Sequence, residues 1–296
     1  MTKSNFLLKE EKVALCYLIP TLLFLLIFVL YPFLYTLFLS FHKVNFTSTG
    51  MNLKFAGLKN YLRLFTDPKI PLIFKQTIIF MVLRVGGTFL IGLSIAIIVF
   101  SMNKGKNLFK IIFLIPWTLS NVTNALIWQW MYNSQFGIFN EILLRLGLID
   151  KYIAWLTSPQ YALYAIIFAD IWKTCPFVCL MFFAALQTVP SSLKEAARVD
   201  GANSFQIFLH ITLQCIKPVI LVVLIIQTMW AIKAFDLIWV FTQGGPLDRT
   251  TILTVYAYKQ SFQYFKMDYG SAIAYAISFI LLFFTFLYFK SIRIED

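Results

Sequence analysis

Six long apolar runs constrain the fold of this chain more than any other feature of its sequence. They cover residues 13–39, 76–102, 111–132, 161–186, 219–241 and 269–289. An α-helix rises about 1.5 Å per residue, so roughly 20 mostly apolar residues span the hydrocarbon core of a bilayer, which is about 30 Å thick. Hydrophobic residues make up 60% of the 296 residues, a larger share than soluble proteins carry. The sequence therefore predicts an all-α integral membrane protein with about six transmembrane helices, in a single domain that covers residues 1–296.

The first run follows three lysines, Lys3, Lys9 and Lys12, and in that respect resembles a secretory signal peptide. Its apolar stretch is longer than that of a signal peptide, and no cleavage site of small residues follows it. We therefore interpret it as a transmembrane helix that the mature protein keeps.

The formal net charge of +12 does not indicate a nucleic-acid site, because the basic residues are scattered between the runs and not clustered with aromatic side chains. Anionic lipid headgroups of the bilayer are the expected partner. Four cysteines lie in or beside apolar runs: Cys16, Cys175, Cys179 and Cys215. Their spacing fits neither a zinc site nor a redox motif, so we expect free thiols that pack as small apolar side chains.

A polar segment, residues 188–218, separates the fourth run from the fifth. Its first part contains good helix formers, and Gly201 can adopt the positive φ that ends one helix and turns the chain into another. This pattern predicts a helix-turn-helix. The second helix carries an apolar stripe at helical intervals, made of Phe205, Phe208, Leu209, Thr212 and Leu213. We expect this stripe to pack against another protein.

The same segment carries a recognisable spacing. Glu195, Ala196 and Ala197 are followed after three residues by Gly201, and after nine more by Ile211 and then Leu213. This order resembles the EAA signature of the inner-membrane subunits of binding-protein-dependent ABC importers, and Gln214 departs from the family's usual Pro. The resemblance implies that this loop contacts a cytoplasmic ATPase through Glu195, Ala196, Ala197, Asp200, Gly201, Phe205, Phe208, Ile211 and Leu213.

Two shorter stretches resemble one branch of that family. The sequence FAGLKNY at 55–61 is similar to a stretch of the carbohydrate importers, and FD at 235–236 followed by TQGGP at 242–246 is similar to their first-type permease. The resemblance implies a sugar permease that works by alternating access in a bacterial inner membrane. It also implies four kinds of partner: a second permease subunit in a heterodimer, two cytoplasmic ATP-binding subunits, an extracytoplasmic solute-binding protein and the lipid bilayer.

The orientation in the membrane rests mainly on this loop. Lys and Arg are equally numerous on the two sides but denser on the side that would hold both termini, and positive loops favour the cytoplasm. We therefore predict that both termini and the 188–218 loop are cytoplasmic. The sequence contains no GxxxxGK[ST] motif, so we expect ATP and Mg²⁺ to be used by the partner subunits, with no cofactor on this chain and no enzymatic activity of its own.

Five ionisable residues lie within the runs, where charge is costly and often functional. Asp170 and Lys173, and likewise Lys233 and Asp236, are three residues apart and can form local ion pairs or face a wet cavity. Both interpretations remain open at this stage. The fifth residue, Arg84, is long enough to extend towards the interface.

A stripe on the third run suggests where a solute would pass. On a continuous helix, Trp117, Asn121, Asn124 and Trp128 fall within a sector of about 60°. Indoles can stack on sugar faces and amides can bond hydroxyls, so we predict that these four residues line the substrate path. The remaining path residues that we predict are Asp170, Lys173, Trp230, Lys233 and Asp236. The alternative is that the tryptophans lie at the interface and the asparagines join helices.

Other classes of protein fit the sequence less well. A six-helix secondary transporter of small solutes would have no use for the 188–218 loop. A membrane enzyme would need clustered carboxylates or metal ligands, whereas His42 and His210 are far apart and have no acidic pair beside them. The sequence leaves the solute open between a neutral oligosaccharide and a phosphorylated or acidic sugar.

Overall fold

The structure is a computed structural model that describes residues 17–47 and 50–292. The chain forms two compact units. The first contains the described residues up to Asp67 together with Ala257–Ala276, and the second contains Pro68–Tyr256 together with the described residues from Ile277 onward.

The first unit contains a long, exposed apolar helix and a small hairpin. Helix α1 (Tyr17–Ser40) is almost entirely exposed and apolar, as expected for a helix in a bilayer. It leads into strands β1 (His42–Thr47) and β2 (Gly50–Phe55), which pair antiparallel, and then into helix α2 (Lys59–Thr66). Asn60 joins these parts, because its Nδ2 donates hydrogen bonds to the backbone carbonyls of Ser40 and His42, each at 2.9 Å.

The second unit holds most of the helices. Those wholly within it are α3 (Ile70–Ser101), α4 (Lys106–Thr118), α5 (Asn121–Met131), α6 (Ile138–Arg145), α7 (Ala162–Gln187), α8 (Ser191–Val199), α9 (Ser204–Ile232) and α10 (Phe235–Thr242). Helices α11 (Leu253–Tyr258) and α12 (Met267–Ile292) cross between the two units along the chain.

Helices α3 and α7 pack closely along their length. Gly92 makes this possible, since a Cβ at that position would lie 2.7 Å from Cγ1 of Val178. Small residues at such contacts are typical of membrane helix pairs, where close backbone approach supplies the packing energy. The pair continues into an apolar core that includes Phe182 on α7 and Ile216 on α9.

The expectation of a mostly helical membrane protein with about six spans is confirmed, with the β1–β2 hairpin as the exception. In the described residues, five helices are long and apolar enough to cross a bilayer, namely α1, α3, α7, α9 and α12. A sixth span exists if α4 and α5 are counted together. The first predicted run begins at residue 13, and residues 13–16 lie outside the described part.

The structure differs from the sequence prediction within the third run. Helices α4 and α5 meet at an angle of 93°, so residues 111–132 are not one continuous helix. Leu119 is extended, and Ser120 begins the new helix because its Oγ accepts a hydrogen bond from the backbone N–H of Thr123 at 3.0 Å. Pro116 also removes one backbone donor from the last turns of α4. The fifth run is interrupted as well, since α9 ends at Ile232 and α10 begins at Phe235.

Candidate functional site

A cavity of about 360 Å³ lies among the helices of the second unit. It is near the middle of both α3 and α7, at the break between α4 and α5 and at the junction of α9 with α10. Ten residues line it: Arg84, Trp117, Asn121, Asp170, Lys173, Thr174, Trp230, Lys233, Ala234 and Leu237. We call this the central cavity.

A buried ion pair forms part of the cavity wall. Arg84 Nε lies 2.7 Å from Asp170 Oδ2, and the two side chains are only 3% and 6% exposed. Arg84 Nη1 also donates a hydrogen bond to the backbone carbonyl of Gln227 at 2.6 Å. Arg84 therefore does not extend to the interface, and the local pair of Asp170 with Lys173 that the sequence left open is not formed. A buried charge is tolerated only when it is paired and hydrogen-bonded, and here each charge has its partner on another helix.

The two lysines of the cavity have different surroundings. Lys173 Nζ donates a hydrogen bond to Asn121 Oδ1, which links α7 to the start of α5. Lys233 is exposed at the end of α9, and its ammonium group forms no hydrogen bond or ion pair with any residue that the structure describes. Asp236 is exposed in the first turn of α10 and does not pair with Lys233, so the local pair that the sequence left open does not occur. Asp236, which we predicted to line the substrate path, is not among the residues that line the central cavity.

Two indoles stand at the cavity with one phenyl ring between them. The ring centroids of Trp117 and Phe177 are 5.2 Å apart with nearly parallel planes, and Phe177 lies 5.2 Å from Trp230 on its other side. Both tryptophans are partly exposed. Such flat apolar faces beside amide and charged groups suit a ligand that has apolar faces and many hydroxyls.

Asn124 and Trp128 do not line the central cavity. Asn124 is fully buried, and its Nδ2 lies 3.4 Å from the backbone carbonyl of Ala169. Trp128 is buried against a group of aromatic rings: Tyr132, Phe139, Phe168 and Trp172. The predicted stripe assumed one straight helix, and the 93° bend separates Trp117 from the three residues on α5.

The structure thus brings together six of the nine predicted path residues: Trp117, Asn121, Asp170, Lys173, Trp230 and Lys233. Their role in transport stays a prediction. Sequence reasoning did not place Arg84 and Thr174 at the cavity. A signal for Arg84 was available, because an arginine and a carboxylate on different spans can pair across helices.

A second cavity, of about 690 Å³, lies at the end of the unit where α3 and α7 begin. Lys75, Gln160, Tyr164 and Arg249 are among its lining residues. Lys75 precedes Arg84 by nine residues on α3, and Tyr164 precedes Lys173 by nine residues on α7. Nine helical residues rise about 14 Å, so the second cavity lies about 14 Å from the central cavity along the same two helices.

The helix-turn-helix predicted for residues 188–218 is present as α8, a turn and the start of α9. Gly201 has φ of +82°, so its predicted positive φ is confirmed. The backbone N–H of Ala202 donates to the carbonyl of Ala197 and that of Gly201 donates to the carbonyl of Arg198, which is a Schellman motif. Asn203 and Gln206 then bond each other's backbone N–H, both at 2.9 Å, and form a capping box at the start of α9.

Seven of the nine predicted contact residues of this loop fall into two groups, and the other two, Ala197 and Ile211, are half-buried. Glu195, Ala196, Asp200, Gly201 and Phe205 are exposed, and Phe205 is 68% exposed. Phe208 and Leu213 instead pack on the chain's own apolar core, and Thr212 is buried. The stripe is therefore not wholly free for a partner, because Phe208, Thr212 and Leu213 on α9 face α3 and α7.

The turn also forms a concave surface. A pocket of about 320 Å³ there is lined by Ala197, Asp200, Gly201, Ala202, Gln206, Ile207, His210 and Ile211. The pocket lies at the end of α7 opposite the second cavity, since α8 follows the last residue of α7 after a short connection.

A polar cavity at mid-length of long apolar helices is typical of a membrane protein that moves polar solutes. Within the described residues no group of three or more His, Cys, Asp or Glu side chains could hold a metal ion. Cys175 and Cys179 are free and buried, and Cys215 is free and exposed, while Cys16 lies outside the described part.

Residues 88–292 match the family described as binding-protein-dependent transport system inner membrane component. The chain belongs to this family of ABC importer permeases, as its EAA loop indicated.

Individual proteins are similar over nearly the whole chain. The trehalose/maltose transport system permease protein MalF of Thermococcus litoralis is 38% identical, over 95% of this chain and 94% of that protein. The sulfoquinovosyl glycerol transport system permease protein SmoG of Agrobacterium fabrum is 35% identical, over 98% of this chain and 93% of that protein. The fold is similar to a chain in the crystal structure of a bacterial ABC transporter involved in the import of the acidic polysaccharide alginate, with a TM-score of 0.82, 23% identity and coverage of 97% and 98%.

Proposed function

We propose that this chain is one of two membrane-spanning subunits of an ATP-driven importer and carries a sugar or sugar-like solute by alternating access. The family assignment supports the importer, and two similar permeases bear the names of sugar transport systems. The central cavity supports a sugar-like solute, because it offers indole faces together with amide, hydroxyl and charged groups.

The observation that carries the coupling part of the proposal is the continuity of α9. This helix begins at Ser204 in the loop and ends at Ile232, and Trp230 in its last turn lines the central cavity. The 26 residues from Ser204 to Trp230 rise about 39 Å. A partner that moves the capped turn would therefore move the far end of the same helix at the solute site.

The turn has the properties of a docking element. Its two helices are held at a fixed angle by the Schellman motif and the capping box, while Glu195 and Phe205 remain exposed. A partly buried contact from the Glu195 carboxylate to a basic cleft on an ATPase would resist salt better than an exposed ion pair. Glu195, Ala196, Ala197, Asp200, Gly201, Phe205 and Ile211 are the contact residues of this proposal, with Phe208 and Leu213 anchoring the loop to the chain's own core.

The partners follow from the same proposal. Two cytoplasmic subunits bind and hydrolyse ATP with Mg²⁺, a second permease completes the path, and an extracytoplasmic binding protein delivers solute. Both termini and the turn lie in the cytoplasm. The second cavity then faces the outside, where solute arrives, because it lies at the opposite end of α7.

Reconstitution in proteoliposomes tests the proposal. This chain is inserted alone, then with its second permease, then with both permeases and the ATPases, and the solute-binding protein is added outside in each case. We expect uptake only in the full assembly and only with ATP inside. Uptake by this chain alone, driven by an ion gradient, would show instead that it is a secondary transporter.

A further inference from the structure

The two cavities carry positive charge that the described residues do not neutralise. Among the ten residues that line the central cavity, the one carboxylate is Asp170, and it is already bonded to Arg84. Lys173 donates its hydrogen bond to a neutral amide, and Lys233 has no partner among the described residues. Two ammonium groups therefore lie beside this cavity with no carboxylate of their own.

The second cavity shows the same excess. Lys75 and Arg249 are exposed there, and no Asp or Glu is among the described residues that line it. The carboxylate next to Arg249 along the chain, Asp248, lies 2.6 Å from Lys69 Nζ. The central cavity and the second cavity, about 14 Å apart along α3 and α7, therefore both carry an excess of positive charge.

The positive charge of the two cavities should favour the entry of anionic solutes. Clefts with low-dielectric walls concentrate the field of a few like charges and raise the local concentration of ions of opposite sign. Lysines within membrane helices are costly unless a counter-charge or water surrounds them, and they often mark solute pathways. An anionic group on the solute would supply the counter-charge that these two lysines lack.

We infer that the central cavity binds a sugar that carries an acidic group, such as a carboxylate, sulfonate or phosphate, with Lys173 and Lys233 as its counter-ions and the second cavity as a basic entrance. This inference rests on the proposed function and names the substrate class of the same site. Trp117 and Trp230 contact the apolar faces of the sugar ring, and Asn121 holds Lys173 in position.

Chemical modification of a cysteine placed in the cavity measures this charge without any transport. Ala234 lines the central cavity next to Lys233, and Ala234→Cys adds only a thiol. The variant is made in a chain whose native cysteines are replaced and is purified in its complete complex. Its rate of reaction with a negatively charged methanethiosulfonate is compared with that of a positively charged one, each divided by the rate with a free thiol in solution.

We expect the negatively charged reagent to react at least about tenfold faster than the positively charged one. Lys173→Gln with Lys233→Gln should bring the two rates close together, and Lys173→Arg with Lys233→Arg should keep them apart. Lys104→Gln with Lys151→Gln removes the same charge from exposed positions outside both cavities and should leave the ratio unchanged. Equal rates in the starting variant would overturn the inference, and would mean that a partner subunit supplies the missing carboxylates.

Protection by sugars tests the ligand itself. The same thiol is modified with uncharged N-ethylmaleimide in the presence of glucose, glucuronate or glucose 6-phosphate at equal ionic strength. Slower reaction with either acidic sugar than with glucose supports the inference and distinguishes carboxylate from phosphate. Equal rates with all three, or the greatest protection by glucose, would overturn it. None of these measurements needs ATP. The importer proposal is tested separately, by ATP-dependent uptake in the proteoliposome experiment, so failure of one proposal can be distinguished from failure of the other.

Discussion

The guanidinium of Arg84 and the carboxylate of Asp170 form an ion pair across two helices, with Nε and Oδ2 2.7 Å apart. A third helix joins them, because the backbone carbonyl of Gln227 accepts a hydrogen bond from Arg84 Nη1 at 2.6 Å. The pair thus ties α9, which runs from the turn to the central cavity, to α3 and α7. Its loss would affect both the stability of the unit and the position of the cavity wall.

Removal of one member of this pair should be strongly destabilising. Arg84→Gln leaves the carboxylate of Asp170 buried without its counter-charge, and such changes typically cost about 3–5 kcal/mol. Arg84→Leu with Asp170→Leu removes both charges and should destabilise less than either single change. The measurement is the unfolding midpoint of the purified complex, followed by tryptophan fluorescence.

An exposed ion pair on α6 provides the control for that experiment. Arg145 Nε lies 2.7 Å from Glu141 Oε1, but both groups are accessible to solvent. Arg145→Gln should leave the midpoint unchanged, because exposed pairs contribute little. If Arg84→Gln behaved like Arg145→Gln, the pair would have no structural role.

Gly201→Val should uncouple ATP hydrolysis from uptake. The residue has φ of +82° and open space around its Cα, so the change introduces backbone strain of about 1–2 kcal/mol without a steric clash. The strain should misalign α8 relative to α9. We expect ATP hydrolysis to continue or the ATPase to dissociate, while uptake falls, as measured in proteoliposomes by phosphate release and solute accumulation.

Gly147→Val is the matched control for this effect. Gly147 has φ of +68°, ends α6 in the same Schellman arrangement and also has open space around it. The strain is therefore similar, but the site is outside the α8–α9 turn. Equal loss of uptake in both variants would mean that strain alone, and not the turn, explains the result for Gly201.

The orientation of the turn can be read from thiol accessibility. In a chain without its native cysteines, Ser204→Cys should resist a membrane-impermeant thiol reagent in intact cells, because the turn is proposed to be cytoplasmic. Ser134→Cys, in the exposed connection between α5 and α6, should react readily. Labelling at Ser204 with protection at Ser134 would invert the topology.

Two asparagines on α5 should behave differently. Asn121 lines the central cavity and bonds Lys173, so Asn121→Leu should reduce uptake while the complex still assembles. Asn124 is fully buried against α7, so Asn124→Leu should change the unfolding midpoint more than the uptake. Equal loss of uptake in both variants, with both unfolding midpoints unchanged, would favour the original stripe over the cavity.

Local signals in the sequence predicted the turn well. The positive φ of Gly201 was predicted from its lack of a side chain, which is a short-range effect. The Asn203 and Gln206 pair at the start of α9 is equally short-range, although the prediction did not include it. The apolar runs likewise predicted the long helices, because length and hydropathy alone decide what can cross a bilayer.

Partners across helices could not be predicted in the same way. The spacing of Asp170 and Lys173 is equally compatible with a local pair, and only the packing of α3 against α7 brings Arg84 to the carboxylate. The prediction of one continuous helix for the third run was wrong for a related reason. A periodicity argument assumes a straight axis, and the capping side chain of Ser120 is too weak a signal to predict a 93° bend inside an apolar run.

The break between α4 and α5 has a consequence for the hydration of the central cavity. The last carbonyls of one helix and the first N–H groups of the next have no partner within their own helix, and hydrocarbon cannot satisfy them. Trp117 and Asn121, on either side of the break, both line the cavity, so the break lies beside it, and we expect water there to bond the main-chain groups that the helices leave unpaired. An arriving solute therefore exchanges one set of hydrogen bonds for another and does not enter a dry space. The energetic penalty of dehydration, which would otherwise exclude a molecule rich in hydroxyls from the membrane interior, is correspondingly small.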